Sequence, residues 1–181
     1  MYNQYQARQI LLVEYAKLSD KYPILKDIEL KWGTGLQTLG TCKYPKWILD
    51  LDQEERLTDS NTLSITVSTH PLVVEQAGIK QLKDTLRHEV AHALAILYDA
   101  NASHDAGWRA WCLKVGAEPE RCHNIQIKKP SQYTMICSNT GKELKQVRRI
   151  TDYVKLHLDL QKKGSGIYTC NCCNKFVKIV K

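Results

Sequence analysis

Apolar residues recur along this chain with two periods. In residues 4–20, Ala7, Ile10, Leu11, Tyr15 and Leu18 fall three or four apart, which marks one face of a helix closed off before Pro23. Ile28, Leu30 and Trp32 then alternate with Asp27, Glu29 and Lys31, the pattern of a half-buried strand. After the Gly33-Thr34-Gly35 turn, further strands are predicted at 36–43, 47–51 and 62–69, the last with Leu63, Ile65 and Val67 on one face. Residues 52–61 are polar and read as a connection. The helical period returns at 79–98, where Leu82, Leu86, Val90, Ala93 and Leu97 share a face. Trp108 and Trp111 lie on one side of a following helix that Gly116 ends. Strands gathered before helices predict an α+β layer rather than alternating β/α units.

The 79–98 helix carries chemistry. His88-Glu89-Val90-Ala91-His92 places two imidazoles four residues apart, one above the other on a single face. Both can point at one metal ion. Glu89 follows the first histidine, where its carboxylate can reach a water and act as general base. Zinc suits two imidazoles, one further protein ligand and an open fourth position. The next histidine, His104, follows the turn-forming stretch Asp99-Ala100-Asn101-Ala102-Ser103, which can return it to the helix. His88, His92 and His104 are therefore the expected ligands. His70, beside Pro71, has no evident partner and is read as structural.

H-E-V-A-H, eleven residues, then His104-x-x-x-Trp108-x-x-Trp111 resembles the SprT-like metalloprotease family. Leu39-Gly40-Thr41-Cys42 is similar to the family's L-G-x-C segment, and Gly116-Ala117-Glu118-Pro119-Glu120-Arg121-Cys122-His123 to the stretch after its third ligand. Asp105 stands where glycine is usual. The resemblance covers about residues 5–125. It implies a small zincin-like core of N-terminal helix, three- to four-stranded antiparallel sheet, H-E-x-x-H helix and following helix. It also implies a Zn2+-dependent endopeptidase acting on proteins bound or crosslinked to DNA.

Charge divides the chain. Residues 1–120 hold 13 Lys and Arg against 16 Asp and Glu, a net of −3, whereas 121–181 hold 13 against 3, a net of +10. A basic C-terminal third suggests an anionic partner, most often nucleic acid. Arg148 and Arg149 are the expected contacts, and Tyr153, Tyr168 and Phe176 are candidate stacking groups. The expected organisation is a core at 1–125 and a basic, ribbon-like segment at 126–181. No apolar run is long enough for a membrane span, and residues 1–6 lack a signal-peptide core. A cytoplasmic protein is expected. Seven clustered cysteines favour metal ligands and free thiols over a disulfide framework.

A zinc ribbon needs C-x-x-C twice. Cys170 and Cys173 supply one pair, but after Cys137 the second position is Thr140, a poor zinc ligand. Three readings stand: a second zinc on Cys137, Cys170 and Cys173 with His157 or Cys172 as fourth ligand; a ribbon without metal; or buried thiols. The segments 133–137 and 168–170 are predicted as strands leading into cysteines, with partly helical spacing over 142–163. For function, the intact H-E-x-x-H favours a zinc peptidase. The alternatives are a nucleic-acid-binding adaptor on a vestigial protease fold and a zinc hydrolase of a non-peptide substrate.

Overall fold

The computed structural model describes residues 2–120, 125–128, 133–147, 151–173, 175 and 177–180. Its chain divides into two compact units, Met1–Ile127 and Lys128–Lys181. The first begins with helix α1 (Gln4–Lys21). Asn3 and Gln6 form its capping box, each side chain bonding the other's backbone N–H. The Tyr15 hydroxyl donates to the carbonyls of Leu25 and Ile28, tying α1 to the turn that leads into the sheet.

Strands β1 (Glu29–Gly33), β2 (Gly40–Lys43) and β3 (Ser64–Ser68) form a sheet in the order β1-β3-β2. β3 pairs parallel to β1, with Leu30 opposite Ile65, and antiparallel to β2, with Cys42 opposite Ile65. The sheet is thus mixed rather than antiparallel. The cause is that β2 itself carries the chain back between β1 and β3, so those two run the same way. Residues 44–63, which join the antiparallel pair β2 and β3, hold the 3-10 turns Lys46–Asp50 and Ser60–Thr62 and helix α2 (Gln53–Thr58). The strand expected at 47–51 is the first of those 3-10 turns. Pro45 fixes its entry, and the apolar run Trp47-Ile48-Leu49 does not alternate: Ile48 is buried while Trp47 is half exposed. The strand expected at 36–43 is confined to its last four residues. Helix α2 replaces the expected polar connection, capped by Asp52 and Glu55.

Helix α3 (Pro71–Asp99) is the centre of the unit and packs against α1, α2, β2, β3 and helix α4 (Ala106–Val115). His70 caps its start, its Nδ1 accepting from the Leu72 N–H at 3.1 Å. Gly78 breaks the helix with φ 75° and ψ 167°, so the regular stretch starts at Ile79, where the apolar period starts. The expected face is buried in full: Leu82, Leu86, Val90, Ala93 and Leu97. Beyond Glu89 the helix is buried nearly all round, adding Ala91, Leu94, Ala95 and Ile96, as befits a core helix. Each fully buried leucine contributes about 2 kcal/mol of apolar transfer.

In the second unit, β4 (Tyr133–Cys137) and β5 (Glu143–Val147) form a hairpin. Helix α5 (Asp152–Lys162) follows, and β6 (Val177–Val180) returns antiparallel to β4, giving the order β5-β4-β6. The helical spacing over 142–163 thus resolves into a strand and a helix. The second strand lies after the cysteines rather than before them, because Val177 and Ile179 alternate inward with Lys178 and Val180 outward. Among the described residues, no helix is long and apolar enough to cross a membrane.

Candidate metal centre

The three expected histidines meet. His88 and His92 stand one turn apart on α3, and His104 arrives from the short connection to α4. One ring nitrogen from each lies within 4.8 Å of the others, and His92 Nε2 is 3.0 Å from His104 Nε2. Nitrogens around a tetrahedral zinc stand about 3.3 Å apart. Local structure explains how His104 returns. Ala100 ends α3 in the left-handed conformation (φ 51°), reversing the chain. Asp105 then caps α4: its Oδ1 accepts from the N–H of Gly107 and Trp108 and from Asn101 Nδ2, and its Oδ2 from the Ser103 hydroxyl. Those bonds hold the Asp105 carboxyl down at about 2, with the Ser103 bond first among the causes. The carboxylate is committed to the turn beside His104.

Trp108 is the floor of this cluster. It is fully buried, with its ring centroid 4.5–5.1 Å from all three imidazoles. Trp111 lies further along, stacked on Tyr98 and donating from Nε1 to Asp99 at 2.5 Å. Burial, then the charges of His88 and His104, push the His92 pKa down to about 3, so its imidazole is neutral at ordinary pH, the state a metal ligand requires. Thr85 Oγ1 and Trp108 Nε1 are buried beside the cluster without a hydrogen-bond partner. Three converging imidazoles fit zinc, and the cluster opens into a cleft of about 820 Å³.

Glu89 lines that cleft and is 7% exposed. Burial raises its pKa to about 7, against the lowering effect of a hydrogen bond from the Cys42 backbone. β2 therefore forms one wall: Leu39, Gly40, Thr41 and Cys42 all line the cleft, and β2 is an edge strand. The other wall carries Asp84 and Glu118, joined by a bond from the Glu118 N–H to Asp84 Oδ1 at 2.9 Å. Reading the sequence for ligands missed these wall residues. The similarities at Leu39–Cys42 and Gly116–His123 are the signals that touch them.

On the far side of α3, Arg87 braces the ligand-bearing turn. Its guanidinium donates to Glu14 of α1 and to the carbonyl of Gly116 at the end of α4. Glu14 also accepts from Lys83. Burial raises the Glu14 pKa, but Arg87 and Lys83 outweigh it and leave a net lowering.

In the second unit, the structure brings Cys137, Cys170 and Cys173 together. It does not bring His157 to them as a ligand. That ring is fully buried, its Nε2 on the Val177 carbonyl at 2.8 Å and its Nδ1 accepting from the N–H of Ile167 and Tyr168. His157 anchors α5 to the sheet. Arg148, Arg149 and Phe176 lie outside the described residues, as do Arg121 and His123. Tyr153 and Tyr168 are described; Tyr153 is exposed on α5, whereas Tyr168 packs beside His157.

Comparison with curated proteins and with solved structures gave no match. The family model for SprT-like proteins matches residues 11–129, which is 119 of the 181 residues and contains His88, Glu89, His92, His104 and the cleft-lining strand. The chain belongs to the SprT-like family.

Proposed function

We propose that this chain is a zinc-dependent endopeptidase whose substrates are proteins held on DNA. The observation that carries the reading is Glu89 set between three convergent imidazoles and an open strand edge, inside one cleft. Zinc held by His88, His92 and His104 would supply a Lewis acid that polarises a scissile carbonyl and acidifies water. Glu89 does the rest. Its carboxylate takes the proton from the attacking water and returns it to the leaving amine nitrogen. Burial raises its pKa to about 7, a range in which one carboxylate can both accept and return a proton near neutral pH. Trp108 fixes the imidazoles and excludes water from behind them.

An extended peptide can add to the free edge of β2 as a further strand, with its main chain crossing the metal site. Besides the histidines, the charged residues that line the cleft among those described are Asp84, Glu89, Glu118 and Glu120, with no lysine or arginine. Such a cleft favours basic peptides, the composition of proteins that bind nucleic acid. The +10 charge of residues 121–181 gives the same substrate a DNA partner to share.

The test is Glu89→Gln in the full chain, assayed on a basic DNA-binding protein with and without DNA. The amide keeps the side chain's size but cannot accept the proton. Zinc content should stay at the wild-type level while cleavage falls by about 10²–10⁴-fold. Wild-type cleavage by the variant would remove Glu89 from the mechanism. Equal wild-type rates with and without DNA would remove DNA from the substrate class and leave the peptidase.

A further inference from the structure

Tyr15 and Tyr44 both pack their rings against the core of the first unit, but their hydroxyls differ. That of Tyr15 donates to the carbonyls of Leu25 and Ile28. That of Tyr44 has no hydrogen-bond partner among the described residues, and the residue is half-buried in the lining of the metal-centre cleft. A ring held in the core with its phenol on a cleft leaves one O–H donor available to whatever enters.

Tyr44 follows directly on β2, whose course over the site is set by its contacts. The Ser68 N–H donates to the Leu39 carbonyl at 2.7 Å. Odd-numbered residues of the strand therefore turn their backbone groups to β3, and Gly40 and Cys42 turn theirs to the free edge. The Cys42 N–H accordingly reaches the Glu89 carboxylate. Gly40 stands over Thr85 and Glu89, and Cys42 bonds the later of the two, so the strand advances along α3 toward its C-terminal end. Two more residues carry it about 6.6 Å further. His92 lies about 4.5 Å beyond Glu89 along the helix axis. Ile96 and Ala102, which line the cleft with Tyr44, mark the same end.

When water attacks a peptide carbonyl, its oxygen bonds the carbon, its proton goes to Glu89, and the C=O electron pair moves onto the carbonyl oxygen. The charge that gathers there is stabilised by a donor already in place. The cleft holds few. Its charged side chains are acidic, and its three imidazoles are the expected metal ligands. Thr85 keeps its hydroxyl buried below the surface. Thr41 turns its side chain to the face opposite Gly40. Gln37 and Thr38 precede Gly40, and Gln81 lies about two turns before His88, all toward the other end of the cleft. We infer that Tyr44 is a further catalytic residue, whose hydroxyl donates a hydrogen bond to the carbonyl oxygen as it becomes an oxyanion. The phenol keeps its proton throughout, and Glu89 carries the proton traffic. This role rests on the peptidase reading and completes it with an electrophile from the protein itself.

The test compares Tyr44→Phe with the wild type as zinc-loaded full chains. The variant loses the hydroxyl and keeps the ring in the core. Two measurements are made: steady-state cleavage of a basic DNA-binding protein, and calorimetric affinity for a peptide phosphonate, whose tetrahedral oxygens mimic the attacked carbonyl. Zinc content and denaturant midpoint should hold. The kcat should fall about 10²–10³-fold, the effect of removing one oxyanion donor, with KM little changed. Phosphonate affinity should fall with kcat. Wild-type kcat in the variant would overturn the role. So would a raised KM at unchanged kcat, which makes Tyr44 a binding contact only, or an unaltered phosphonate affinity. A fallen midpoint or lost zinc alongside the lost turnover would make the residue structural instead. The peptidase reading is judged separately: cleavage that survives Tyr44→Phe but not Glu89→Gln keeps that reading and removes Tyr44 alone, whereas a wild type that cleaves no protein removes both.

Discussion

A methyl group on Gly40 would stand 2.6 Å from Oε1 of Glu89. It would stand equally close to Thr85 Cγ2, and 2.8 Å from Glu89 Cγ. The edge strand therefore runs directly over the carboxylate, and only a residue without a side chain lets it pass. The same strand gives Glu89 its backbone hydrogen bond from Cys42. Gly40 acts through Glu89, as a positioning residue.

Gly40→Ala should accordingly displace Glu89 or lift β2 away from α3. Overpacking of this kind costs about 1–3 kcal/mol of stability. A misplacement of about 1 Å at the base lowers turnover on the order of 10²-fold. Zinc content should hold, since the histidines come from α3 and the turn before α4. A kcat near wild type, measured on the folded variant, would show that the strand yields instead.

His104→Ala should leave His88 and His92 as a two-imidazole site. Affinity for zinc should fall by more than about 100-fold, the scale reached even when an outer partner of a ligand is removed. Competition with a chelator of known affinity measures it. Asp105 cannot substitute without giving up its four bonds in the α4 cap. Retention of zinc at wild-type affinity would point to a different third ligand.

Glu14→Gln tests the brace behind the metal site. Removing the carboxylate leaves Arg87 and Lys83 facing a neutral amide, at a cost of about 2 kcal/mol at neutral pH. The sign with pH follows from the lowered pKa. The folded-state value lies below the ordinary 4.5, so the contribution is complete above that value and is lost as pH falls through the lower folded one. The stability gap between wild type and variant should be largest at neutral pH and close on acidification below about 4.5. Denaturant midpoints across that range read it directly; a gap independent of pH would mean that the carboxylate is not acting through its charge.

Arg148 and Arg149 test the proposed DNA partner. Changing both to Glu should weaken duplex binding at low salt whatever the sequence. The slope of log affinity against log salt should shrink by about 2, roughly one for each phosphate left unneutralised. Cleavage of an unstructured peptide free of DNA should persist. If residues 1–127 alone bind DNA as tightly as the full chain, the basic third is not the docking surface.

Much of the metal centre was legible because its signals are local. His88 and His92 are four apart on a strongly periodic helix, and His104 follows one turn later. Strand order was not legible, because β1 and β3 pair across more than thirty residues and nothing in alternation encodes direction. Helix α2 was missed although Asp52-x-x-Glu55 spells its capping box; five polar residues and a lone Leu57 carry no apolar period to notice. Its Arg56 is buried because it donates to the carbonyls of Leu97 and Leu51, a use of charge that composition hides. The contact between the cleft wall and the carboxylate was not legible for the same reason as the sheet: Gly40 meets Glu89 only in three dimensions. Cys172, flanked by two other cysteines, was one of two candidates for a fourth ligand until the backbone bonds of His157 set the ring aside.

The first and last of the three histidines, His88 and His104, are 16 positions apart, whereas Gly40 and Glu89 are 49 apart. Closing the short loop costs less chain entropy and is faster. A hairpin of α3 and α4 can therefore gather its ligands before the sheet has docked. The three imidazoles thus depend on one short, local closure, whereas the placing of Glu89 depends on a long one, so a change that loosens the sheet should disturb the carboxylate before it disturbs the histidine cluster.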